Sequence, residues 1–192
     1  MNPRSHPLWR VAQQPWLVVV GLVILLTAVN AGLALAASGR KEMRGAAEVM
    51  QLEVCPWSAA DALGRWSRAQ VLTQAEEAMW WDYAFIAGYA AALSIACLAF
   101  ARRGGWYERW GVRFGWLTLL AGVLDALENV GMLQMIGRAK MGTDAGDWPW
   151  ITAAFAWPKW VVVFGITGFL VAALVSAVRE ETGASLPAAR PG

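Results

Sequence analysis

Apolar residues fill four long windows of the chain, and polar residues collect between them. The windows cover residues 16–37, 80–101, 113–136 and 150–178. A helix of about 20 mostly apolar residues crosses the hydrocarbon core of a bilayer. Backbone N–H and C=O groups in hydrocarbon must pair within their own segment, so each window predicts a helix. The expected fold is all-α, a four-helix transmembrane bundle over residues 16–178 with a helical extracytoplasmic loop between spans one and two. A cytoplasmic tail (1–15) precedes it and a disordered cytoplasmic tail (179–192, ending TGASLPAARPG) follows. The first window has a rival reading. Arg4 and Arg10 precede it, and Ala34-Leu35-Ala36 looks like a signal-peptidase site. The apolar run exceeds the roughly 7–15 residues of a signal-peptide core, which favours a retained span.

The loop at 39–79 is too long for a simple connection. Pro56-Trp57-Ser58 punctuates it, and Ser58 with Asp61 forms a capping-box variant that would open a helix. Ala59, Ala62, Leu63 and Trp66 then recur at helical spacing, and Ala46, Val49, Met50 and Val54 suggest a short helix before Pro56. Such a loop lies on the outer membrane surface or forms a lid over a site that opens outward.

Orientation follows from Lys and Arg near the span ends. Arg102, Arg103, Arg109 and Arg113 crowd the link between spans two and three, whereas Arg138 and Lys140 in the next link are offset by Asp144 and Asp147. Both termini are therefore expected in the cytoplasm. Tryptophan prefers the membrane interface. Trp9, Trp16, Trp106, Trp110 and Trp116 group at the inner surface; Trp57, Trp66, Trp80, Trp81, Trp148, Trp150 and Trp157 group at the outer one, with Trp160 slightly deeper.

Composition narrows the function. The chain is 58% hydrophobic and 16% charged, against roughly a quarter charged in an ordinary soluble domain. A net charge of +2 is too small to point to nucleic acid. One histidine (His6) and two cysteines supply too few ligands for haem, di-iron or catalytic zinc, so no metal and no cofactor is expected. Cys97 lies about 25 Å down its helix from the outer side, at 1.5 Å per residue, so Cys55 in the outer loop cannot reach it. The chain has no HExxH, CxxC, GxSxG, Glu-x-x-His or Gly-rich phosphate loop.

The candidate chemistry lies in polar residues inside the windows. The third carries Asp125, Glu128 and Asn129, which spacings of three and four place on one face, extended by Thr118, Ala121 and Gly122. The fourth carries Lys159 beside Pro158, with Thr152 and Thr167 on a similar face. The second carries Asp82 and Tyr89, and the first Thr27 and Asn30. At 1.5 Å per residue, Asn30, Tyr89, Glu128 and Asn129 lie about 10–13 Å from the outer boundary, and Asp125 and Lys159 about 15 Å. An ionisable residue at that depth costs several kcal/mol. One ammonium balances one carboxylate, so the other carboxylate must hold a proton or meet water. Interhelical hydrogen bonding alone is the plainer use for Asn30, Thr27 and Tyr89, and Gly111-x-x-x-Gly115 indicates close helix packing. Pro158 would free the carbonyl of Ala154 and could kink the last span.

The stretches WWDYAFIAGY, LDALENVGML and FAWPKW resemble those of an uncharacterised family of small bacterial four-span membrane proteins. That family has an Asp–aromatic pair opening the second span, an L-D-x-x-E-N motif in the third and a Lys–aromatic pair in the fourth. VMQLEVCPWSAADALGRW is similar to its outer loop, and the resemblance spans roughly residues 48–165. It implies the four-span fold and directs attention to Asp82, Asp125, Glu128, Asn129 and Lys159, but it names no activity or substrate.

Three functions follow as expectations. The first is a polar site in the outer half that binds or transports a lipid-like or small amphipathic ligand, or a proton, through Asp125, Glu128, Asn129, Lys159, Asp82, Tyr89 and Asn30. The second is an accessory subunit of a larger membrane complex. The third is a membrane-lipid-modifying enzyme with Glu128 or Asp125 as general acid/base. The expected partners are membrane lipids, with a lipid-like ligand or a protein partner and no nucleic acid.

Overall fold

A computed structural model describes residues 3–14 and 46–184. The first expected span, with Thr27 and Asn30, lies outside the described residues. Among those described there are helices and turns and no strands. A 3-10 turn at Pro3–Ser5 leads into a short helix α1 (Trp9–Ala12). The segment before the long helices contributes α2 (Ala46–Val54) and α3 (Ala59–Arg68), joined by a 3-10 turn at Pro56–Ser58. Three long helices follow: α4 (Leu72–Ala101), α5 (Gly105–Lys140) and α6 (Trp148–Ala184). All three are long and apolar enough to cross a membrane.

Each long helix overruns its hydropathy window at both ends or one. Helix α4 begins at Leu72 inside the expected loop, α5 covers 105–140 rather than 113–136, and α6 runs on through 179–184, which had been assigned to the disordered tail. Hydropathy marks only the stretch solvated by hydrocarbon. Adding a residue to an existing helix costs little, so the helix continues to the next turn. Between α4 and α5 that turn is made by Gly104 (φ 77°) and Gly105 (φ 60°), a left-handed pair that glycine adopts without strain.

Helix α5 is the central rod. It packs along both α4 and α6, which touch each other little. The approach to α4 is close: a Cβ on Gly111 would lie 2.5 Å from the Cys97 carbonyl oxygen and 2.9 Å from the Ala101 Cβ. The Gly-x-x-x-Gly spacing thus does what small residues do in membrane bundles. Cys97 is buried at this seam. Helix α6 is apolar on its exposed face too, through Val161, Phe164, Val171, Leu174 and Val178, the pattern of a helix solvated by hydrocarbon.

The loop helices do not lie loose. Ala59, Ala62, Leu63 and Trp66 of α3 are buried together with Leu52 of α2 against Met132, Met135 and Ile136 of α5. Two details differ from expectation. Ser58 precedes α3 but makes no capping bond; its hydroxyl donates to the Cys55 carbonyl (3.1 Å) instead. Trp66 is not an interface anchor but a core residue, because its indole N–H finds a buried carboxylate. Trp57, Trp80, Trp81, Trp150 and Trp157 are exposed, as anchoring side chains would be.

The N-terminal segment is also docked. His6 is buried, its ring 4.6 Å from that of Trp116. Its Nδ1 accepts the Leu8 N–H (3.2 Å), and its Nε2 faces the Gly115 carbonyl and the Ser94 hydroxyl (3.4 Å). This arrangement fits a neutral ring with its proton on Nε2. Burial lowers the His6 pKa below its ordinary value, and the Gly115 carbonyl opposes the shift only in part. The docked contribution is therefore complete above the unfolded-state pKa of about 6.5 and fades as pH falls below it. Protection factors of the amides over residues 3–14, with the slower intrinsic exchange at low pH divided out, are expected to fall on acidification from pH 7 to 5. His6→Ala should make exchange fast and nearly pH-independent apart from the intrinsic rate, at a cost of about 1 kcal/mol.

Candidate functional site

The polar face of α5 points into the groove that α5 forms with α4 and α6, beneath α2. Asp125, Glu128 and Asn129 lie on that face because positions three and four apart coincide on a helix. Opposite them, α6 presents Lys159 and α4 presents Asp82 and Tyr89. Lys159 Nζ lies 2.9 Å from Asp125 Oδ1, 2.6 Å from Glu128 Oε2 and 3.7 Å from Glu53 Oε2. Its side chain is only 7% exposed, and the ammonium stands 5.2 Å from the Trp160 ring centroid. The lysine that sequence placed near the midplane thus turns inward to both expected acids and is buried.

The acids differ in how well they are satisfied. Asp125 uses both oxygens: Oδ1 accepts from Lys159, and Oδ2 accepts from the Tyr89 hydroxyl (2.7 Å). Asn129 Nδ2 donates to Asp82 Oδ2 (2.7 Å), forming a second polar link between α5 and α4. The Tyr83 hydroxyl donates to the Ala126 carbonyl nearby (3.3 Å). Glu128 is 1% exposed, and neither of its oxygens has a hydrogen-bond partner. Its 2.6 Å contact with the Lys159 ammonium is an ion pair. A buried carboxylate in that state is costly.

Six of the seven expected site residues are accounted for: Asp125, Glu128, Lys159 and Tyr89 form one contact group, and Asp82 with Asn129 forms the adjoining pair. Asn30 lies outside the described residues. Of the threonines, Thr118 is buried with its hydroxyl on the Phe114 carbonyl. Thr152 is buried where Gly131 has no Cβ to obstruct it. Thr167 does not share the Lys159 face; it is exposed and its hydroxyl donates to the Val163 carbonyl. Helix α6 passes through Pro158 without interruption.

Sequence reasoning missed Glu53. It sits near the end of α2, and its carboxylate reaches Lys159 from above the bundle. Its side chain is 16% exposed, against 14% for Asp125. Burial pushes the Glu53 carboxyl above the usual carboxylate range. Lys159 opposes that rise, while Asp125 and Asp82 add to it. The only signal was the Leu52-Glu53-Val54 run within the acidic–apolar stretch of the loop. A second loop acid, Glu48, binds elsewhere: it accepts from Arg65 Nε (3.0 Å) and Trp66 Nε1 (2.8 Å) of α3.

Among the described residues, no group of three or more His, Cys, Asp or Glu side chains is placed to hold a metal ion. The centre of the carboxylates is taken by the Lys159 ammonium. No protein-family model, no curated protein and no solved structure matches the chain. What the site can do is therefore read from its own charges. One cation faces three carboxyl groups carried on two separate helices, α2 and α5. As ionised, the group carries more negative than positive charge.

Proposed function

We propose that the chain is an integral membrane protein of the bacterial inner membrane, both termini cytoplasmic, whose outer-half site binds and releases a proton. One observation carries this reading. The Lys159 ammonium has Asp125, Glu128 and Glu53 within 4 Å, so the group as ionised has more negative than positive charge in a poorly hydrated place. Such an excess is relieved by adding a proton to a carboxylate. The fully engaged Asp125 serves as the permanent counter-ion of Lys159, and the unpartnered Glu128 is the natural acceptor.

pH-difference infrared spectroscopy of the purified protein in lipid nanodiscs tests this. A protonated carboxylic acid shows a carbonyl band that a carboxylate lacks. The expected result is such a band that grows on acidification and disappears in Glu128→Gln. If no carboxyl band changes with pH in the wild-type protein, the proton reading fails.

The same charge excess would accept the ammonium head of a lipid-like or small amphipathic ligand in place of a proton, and it disfavours an anionic one. Native mass spectrometry separates these cases. Retention of an amine-bearing lipid supports a ligand site, and retention of a protein partner supports an accessory subunit.

A further inference from the structure

We propose that Glu53, on the extramembrane helix α2, is the group through which this site exchanges its proton with the outer aqueous side. The inference rests on the proton reading above and adds its route. Four observations converge on it.

First, the charges divide the site in two. Asp125 is fully hydrogen-bonded by Lys159 and Tyr89 and is already matched as an anion. The unmatched acids are Glu128 and Glu53, both beside the same ammonium. Second, these two differ in access. Glu128 is sealed, with a side chain 1% exposed, whereas the Glu53 side chain is 16% exposed. Third, Glu53 is the only acid of the group that does not belong to a spanning helix; it reaches Lys159 from the outer loop. Fourth, α2 is fixed in place. Five residues before Glu53, Glu48 points to α3, where Arg65 and Trp66 donate to it; Leu52 is buried between α3 and α5. An interval of five residues turns the helix by about 140°, so Glu48 and Glu53 face different neighbours.

The step is a simple transfer. A hydronium at the outer surface gives its proton to a Glu53 carboxylate oxygen, forming an O–H bond and leaving water. That O–H bond then breaks as a new one forms on Glu128, and Glu53 returns to a carboxylate. No electrons are exchanged. The charged and titratable groups facing Glu53 are Asp125 and Glu128 from α5, Lys159 from α6 and Asp82 from α4. Glu48 on its own helix is turned to Arg65 and Trp66.

The test is stopped-flow acidification of the full-length protein in nanodiscs, following proton uptake with a pH-indicator dye and the infrared band of Glu128. In Glu53→Gln, uptake is expected to slow by roughly a hundredfold, the scale of a lost positioned proton-transfer group. The final Glu128 band should remain. Glu53→Asp keeps the carboxyl one methylene further back and should restore most of the rate. Glu77→Gln, which removes an exposed acid of α4 outside the cluster, should leave the uptake rate unchanged. Unchanged uptake in Glu53→Gln, with the Glu128 band titrating normally, would overturn the role of Glu53 and leave the proton site standing. Absence of any titrating carboxyl band in the wild type would overturn both.

Discussion

Replacing Lys159 with methionine is expected to destabilise the protein by about 3–5 kcal/mol, the usual cost of removing one partner from a buried ion pair. Methionine keeps the length and most of the volume of the lysine stem, so the loss reports charge rather than packing. The variant leaves Asp125 with Tyr89 as its remaining donor, leaves Glu128 with no cation, and removes the ammonium that holds Glu53. Glu128→Gln should behave in the opposite way. It removes a buried carboxylate that has no hydrogen bond, so its effect is expected to be near zero or stabilising. The double variant Lys159→Met/Glu128→Gln should recover a substantial part of the loss, a non-additivity that marks direct coupling. Denaturant unfolding in detergent micelles, followed by circular dichroism, measures all three. A Lys159→Met variant within about 0.5 kcal/mol of wild type, the range of ordinary surface substitutions, would show that the cluster does not hold the charges together.

The parts of this arrangement that sequence revealed are those set by local rules. Three of the four apolar windows became helices long enough to span a membrane, because hydrocarbon solvation and backbone pairing both act within a segment. The fourth window, residues 16–37, lies outside the described residues. The shared face of Asp125, Glu128 and Asn129 follows from the helical repeat alone, and Lys159 needed only a partner at similar depth. The loop helix at Ala59–Arg68 was visible in the spacing of Ala59, Ala62, Leu63 and Trp66. What stayed hidden depends on contacts between distant segments. Glu53 is one more acid in a polar loop until the fold brings α2 over Lys159. Trp66 matches an interfacial tryptophan until Glu48 gives its indole N–H a partner inside the cap. His6 reads as part of a basic tail until Ser94, Gly115 and Trp116 form a place for it. Ser58 had the right sequence for a cap, but the 3-10 turn before α3 directs its hydroxyl to Cys55 instead.

Trp66→Ala is expected to have the largest effect outside the long helices, about 3–5 kcal/mol on the stability of the cap formed by α2 and α3. Trp66 is 1% exposed and packs with Leu52, Leu63, Met132, Met135 and Ile136. Truncation would open a cavity among them and leave Glu48 Oε2 without the indole donor. Trp66→Phe separates the two contributions. It keeps most of the ring volume and loses only the hydrogen bond to a charged acceptor, for about 1.5–3 kcal/mol. Because the cap contacts the bundle mainly through α5 and α6, the damage should stay local. Hydrogen exchange is expected to rise across residues 46–68 in Trp66→Ala while the amides of α4, α5 and α6 within the membrane remain protected. Loosening α2 also releases Glu53 from Lys159, so proton uptake in this variant should slow towards that of Glu53→Gln even though every acid is still present. Uniform loss of protection throughout the chain would mean that cap and bundle unfold as one unit. Helices α2 and α3 would then be part of the core, rather than a separately stable cover that positions one carboxylate.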